Sequence, residues 1–257
     1  MKRAALIFLA ACGSSAMPAS PDAPAAAPPD ASSIDAPIAA IDAAPSSPDA
    51  SVSVPLAGFG DLTGECGILG VADLTGTSPE LHRDTLTFAR AYVDPDDRDL
   101  LTPDGKRLIS TPNAGGSSIA SETFALEELA RCELATLLKT ETEIVYDTPG
   151  KITDFEVSID GHKIGVSVTR AETYPLGQTY QLSTATTLIT RKLNDIKTSS
   201  ADVSAGDKWD KQILAILAYD TQAADTMAQA WTMLDASTKA DTIVIITTTE
   251  GDDTFIY

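Results

Sequence analysis

Histidine and cysteine are scarce in this chain, with two and three in 257 residues. No Cys-x-x-Cys pair and no Cys/His cluster is present, so the ligands of a structural zinc site are missing. His82 and His162 stand in no Gly-x-Ser-x-Gly, His-Glu-x-x-His or Cys-His arrangement, and both read as surface residues rather than catalysts. Positive charge is short as well. Lys and Arg number 18 against 37 Asp and Glu, a net charge of −19, which repels phosphate backbones and anionic lipid at long range. Nucleic acid is thus a disfavoured partner; any such contact would fall in residues 163–215, where seven Lys and Arg face five Asp and Glu. Long apolar runs are also missing. The run from Ala4 to Ala11 falls well below the roughly 20 residues of a membrane-spanning helix.

What the amino terminus does contain is a basic Met1-Lys2-Arg3, a short apolar segment and Leu9-Ala10-Ala11-Cys12. This arrangement resembles the lipobox of bacterial lipoprotein precursors. The resemblance implies cleavage after residue 11, lipidation of Cys12, and membrane lipid as a partner through that cysteine. The implied location is the bacterial cell envelope. Gly13, rather than the Asp of inner-membrane retention, tilts the expectation towards the outer membrane. Residues 12–55 are nearly all Ala, Pro, Ser and Asp. So few large apolar side chains cannot offset the entropy of ordering, and the prolines favour an extended tether of up to about 120 Å.

Residues 56–120 read as a turn-rich, β-containing extension, with turns at Asp73–Gly76, Pro95–Asp97 and Pro103–Gly105 and a strand over Thr85–Val93. Asp94–Asp99 lacks the glycine and final Glu of an EF-hand loop and reads as an acidic turn. Asn113–Ser118 reads as a connector and helix cap. Residues 121–257 are more regular. Apolar spacing of three and four predicts a helix over Glu122–Thr140, and short strands are expected at Glu141–Tyr146, Ile152–Ile159 and Lys163–Arg170. A helix at Thr184–Ser199, a buried strand at Gln212–Tyr219, a helix at Ala223–Leu234 and a buried strand at Thr242–Thr248 complete the pattern. The expected fold class is a mixed-sheet α/β sandwich. Trp209 is expected to cover the edge of the core. Cys66 and Cys132 either pair, closing a loop worth roughly 4 kcal/mol, or leave Cys132 as a small packing residue.

The order helix, three strands, helix, strand, helix, strand resembles the core of the PD-(D/E)XK nuclease superfamily. That resemblance implies a restriction-endonuclease-like fold and places Glu133 at the first-helix metal glutamate, within the apolar stripe of the helix, and Asp154 at the second-strand aspartate. On the third strand, Ser167 and Thr169 stand where the family has its acid and lysine. The expectation is therefore a non-catalytic domain with no cofactor, serving in binding or structure in the envelope with a protein partner the sequence does not name. The alternative is a Mg²⁺-dependent nuclease or phosphodiesterase with a rearranged site: Glu133, Asp154 and Glu156 on the metal, and Arg170 stabilising charge. In the non-catalytic case Arg170 is expected to pair with Glu133 or Asp154.

Overall fold

The computed structural model describes residues 55–112 and 118–257. The lipobox, most of the Ala/Pro/Ser/Asp stretch and residues 113–117 lie outside that range. The described residues form a mixed α/β structure around one seven-stranded sheet. Its elements are β1 (Asp61–Gly64), α1 (Val71–Thr75), β2 (Glu80–Phe88), α2 (Pro103–Ser110), α3 (Ile119–Cys132), β3 (Thr136–Thr140), β4 (Phe155–Ile159) and β5 (His162–Ala171). They continue as α4 (Leu182–Asp202), β6 (Lys211–Ala218), α5 (Thr221–Met233), α6 (Ala236–Lys239) and β7 (Ile243–Gly251). Across the sheet the strands run β1-β2-β7-β6-β5-β4-β3. The block β2-β7-β6-β5 is parallel, and both edges are antiparallel.

Sequence pattern accounts for the central strands. In β5, Ile164, Val166 and Val168 face the side covered by α2 and α3, packing with Leu108, Leu126 and Leu129. In β6 and β7 both faces are covered, hence the unbroken apolar runs. Ile213, Ala215, Ile243 and Ile245 face α3, while Leu214, Ile216, Val244 and Ile246 meet Ile189, Leu193, Ala224 and Met227 of α4 and α5. No helix among the described residues is long and apolar enough to cross a membrane.

Several local expectations are corrected. The helix predicted to reach Thr140 stops at Cys132, and Leu134 turns with a positive φ of 54° before β3 begins. The leucines at 134, 137 and 138 keep helical spacing, but Leu134 is exposed and Leu137 belongs to β3. Nor is α3 a helix with a single apolar stripe, for every residue from Ser121 to Cys132 is buried. Two of its charged side chains reach partners outside the helix. Arg131 donates to the carbonyls of Leu56, Phe59 and Gly60 at 2.8, 3.1 and 2.9 Å, and Glu127 accepts from Thr102 N–H and Oγ1 at 2.8 and 2.6 Å. The strand expected at Glu141–Tyr146 is reduced to one bridge, Tyr146 to Val203. Residues 56–120 supply two of the seven strands, with β2 lying parallel to β7. Asp94 and Asp97 are held by Arg98 and Arg90 respectively. Trp209 is buried at 5% exposure.

Candidate functional site

Glu133 caps the end of α3 rather than sitting inside the helix. Its carboxylate accepts from the backbone N–H groups of Gly67, Ile68 and Leu69 at 2.8, 3.4 and 3.1 Å. Burial pushes its pKa up, against the pull of those three donors. The loop that supplies them is fastened by a disulfide between Cys66 and Cys132, whose Cα atoms lie 4.6 Å apart. Glu133 is thus bound by its own chain on the α3 side of the sheet.

Asp154 lies on the other half of the molecule, just before β4. Its Oδ2 accepts from Val168 N–H at 2.6 Å, while Lys192 of α4 donates to the Val168 carbonyl at 2.8 Å. A carboxylate and an ammonium therefore grip the two ends of one residue of β5. Burial raises the Asp154 pKa to about 6, with Lys192 opposing the rise. Lys192 comes from α4 rather than from the strand position of the family's lysine, so the strand pattern does not announce it. Its one signal was a cation in a helix otherwise spaced for burial.

Glu156 is completely buried on β4, and its Oε1 lies 3.1 Å from Lys163 Nζ. Neither oxygen has a hydrogen-bond donor in line among the described residues. Next to it, Lys139 donates to Asp207. Ser167 is buried and Thr169 half-buried, so the face of β5 read as outward is covered by α4 and by Trp209, which packs on Gly165. Arg170 does not reach Glu133 or Asp154. It donates to the Ile256 carbonyl at 3.2 Å and approaches Glu172 at 3.5 Å. Arg170 stands at the end of β5, where the segment after β7 supplies its acceptor. Among the described residues no three His, Cys, Asp or Glu side chains are grouped to hold a metal ion.

One cluster was not anticipated. Asp84 of β2 and Glu128 of α3 meet under the Cys66 loop. Glu65 N–H donates to Asp84 at 2.6 Å, and Thr247 Oγ1 donates to Glu128. His82, read as a surface residue, is instead half-buried between Glu65 and Glu80 at 3.1 and 3.2 Å. Two touching carboxyls cannot both ionise at low cost. Burial, compounded by the Asp84 charge, holds Glu128 well above the ordinary carboxyl range, so the pair shares a proton. Separations of 44 residues between Asp84 and Glu128, and 163 between Asp84 and Thr247, hid this cluster from any sequence pattern. The space around it leaves no room for a water-sized molecule.

The fold and these sites define a mixed α/β domain with a disulfide-fastened loop and self-occupied carboxylates. No family of known proteins matches the chain. Over 153 residues it is 39% identical to the AAC-rich mRNA clone AAC4 protein of Dictyostelium discoideum, a match that takes in 57% of this chain and spans 22% of that protein's length. No solved structure matches.

Proposed function

We propose that this chain is an envelope-anchored lipoprotein, tethered through Cys12, whose folded part reuses a nuclease-like scaffold for binding rather than catalysis. One observation carries the reading. Each carboxylate in the position of a metal ligand is held by a donor or cation of the same chain: Glu133 by residues 67–69, Asp154 by Val168 and Lys192, and Glu156 by Lys163. Glu133 is bound on the α3 side and Asp154 beside α4, so the two cannot share an ion without rebuilding the sheet's surroundings. A Mg²⁺ site built on one carboxylate would lack the charge that usually holds the ion.

The test is direct. The purified full-length protein is incubated with single- and double-stranded DNA and RNA, with and without Mg²⁺ or Mn²⁺. No cleavage above background is expected. Metal-dependent cleavage that disappears in Asp154→Ala would overturn the binding reading in favour of a nuclease.

A further inference from the structure

Gln212, the second residue of β6, is 4% exposed, and only one end of its side-chain amide is in use. Nε2 donates to the hydroxyls of Thr153, Ser199 and Ser200 at 3.2, 3.1 and 3.0 Å. Thr153 already donates to Ser199, and Ser199 to the Ile196 carbonyl, so towards Gln212 both can only accept. That fixes which end of the amide is which. Oε1 is left buried, with no donor among the described residues. Gln212 also lines a cleft of about 300 Å³ between the C-terminal half of α4 and the start of β7, and neither Thr153 nor Ser199 borders it. The NH2 group therefore faces away from the cleft, and the oxygen at the opposite end of the amide is aimed into it. A buried oxygen without a donor is costly, and a ligand that donates to it recovers that cost.

We propose that this cleft binds a single neutral sugar ring, one hydroxyl of which donates to Gln212 Oε1. The inference goes beyond the binding reading given above and uses none of the carboxylates in the nuclease positions. Charge sets the choice of ligand. An acceptor-only anion would set its oxygens against Oε1. Lys211 offers it nothing, because that ammonium already donates to three backbone carbonyls. A cation would meet the same ammonium together with those of Lys197 and Lys208. A hydroxyl group suits both constraints, since it donates and accepts. A second hydroxyl donates to Asp241, which is exposed beside the cleft and joins none of the ion pairs among the described residues. Lys197 and Lys208 each donate to one carbonyl, of Ser237 and Ser200 respectively, and keep hydrogens for the oxygens of the sugar. Ile196 and Trp209, both buried, supply an apolar wall for the C–H face of the ring. A volume of about 300 Å³ stands at the small end of ligand sites, which suits one ring rather than a chain.

The experiment titrates full-length protein calorimetrically with D-glucose, D-galactose and D-ribose, each singly, and with sodium acetate and ethylammonium chloride as charged comparators. Saturable binding of at least one sugar is expected, and of neither salt. Asp241→Ala, at an exposed position, should weaken that binding severalfold at an unchanged melting temperature. Gln212→Met keeps the length of the side chain and removes the acceptor, and should weaken it about tenfold, the scale of one buried hydrogen bond. Because Gln212→Met also removes the donors to three hydroxyls, the side-chain amide resonances of Gln212 in the parent give a second reading, and they are expected to shift as the sugar saturates. Flat titrations with all three sugars overturn the proposal. So do amide resonances that stay in place at saturation, a sugar that binds both variants as tightly as the parent, or a salt that binds as tightly as the sugar. All of these are read without nucleic acid or divalent metal, so none of them touches the nuclease assay, in which only metal-dependent cleavage counts against the binding reading.

Discussion

Lys211 opens β6 with an ammonium that is 2% exposed. Its Nζ donates to the carbonyls of Asp73, Gly76 and Ser78 at 2.6, 3.2 and 3.1 Å. It thereby satisfies the end of α1 and the approach to β2, joining the first strands to the middle of the sheet. Lys211→Met keeps the stem and removes the donors, leaving three part-buried carbonyl contacts unmatched. We expect a loss of about 2–4 kcal/mol, read as a lower urea midpoint at unchanged slope. In the sequence Lys211 was only a charge bounding an apolar run, because its acceptors lie more than 130 residues away. Glu133 illustrates the same limit. Its need for a partner was legible from its apolar neighbours, but the partner is a run of backbone amides, which no residue type announces. For Arg170, the strand and the carboxylate habit of arginine were legible. Which carboxylate it meets was not.

At the scale of elements, Gly165 shows how α4 and β6 are seated on the hairpin. A Cβ at this position would lie 2.8 Å from Cδ2 and 3.0 Å from Cε2 of Trp209, with both residues buried. An indole is too rigid to yield, so Gly165→Ala is expected to cost about 1–3 kcal/mol as overpacking. Its melting temperature should fall, and a second change, Trp209→Leu, should lower the temperature less in the Gly165→Ala background than in the parent. Strands β5, β6 and β7 and helices α4 and α5 were legible because one or both faces repeat at a regular period over eight or more residues. The end of α3 was not. Leucines continue in helical step past Cys132, and only the left-handed turn at Leu134 separates helix from strand. The strand expected at Glu141–Tyr146 had the right composition but pairs only at its end, where Tyr146 bridges Val203.

Over the whole molecule, the carboxyls divide into two opposed sets. Asp84, Glu128, Glu133 and Asp154 bind their protons more tightly when folded, chiefly through burial. As pH rises above about 4, the unfolded chain releases these protons first, so stability falls through about pH 6, where Asp154 ionises in the fold. Asp97 and Asp235 behave the other way. Arg90 holds the first near 2, and Ser237 with Thr238 the second, so their contribution is present above about pH 4 and is lost as pH falls towards 2. The expected stability maximum is acidic, at about pH 4–5, and urea midpoints measured from pH 3 to 8 should show it. A maximum at neutral pH would contradict the shared proton of Asp84 and Glu128. Composition announced an acidic chain, but not that part of this acidity is kept uncharged inside it.

The strand order carries one more consequence, for the sequence of events in folding. β7 comes last along the chain, yet it lies between β2 and β6. The β1–β2 pair touches the remainder of the sheet only through it. Until residues 243–251 are present, the first two strands have nowhere to dock, and closure joins segments about 160 residues apart, a slow and cooperative step. A sheet wired in this order stays open until its last strand arrives.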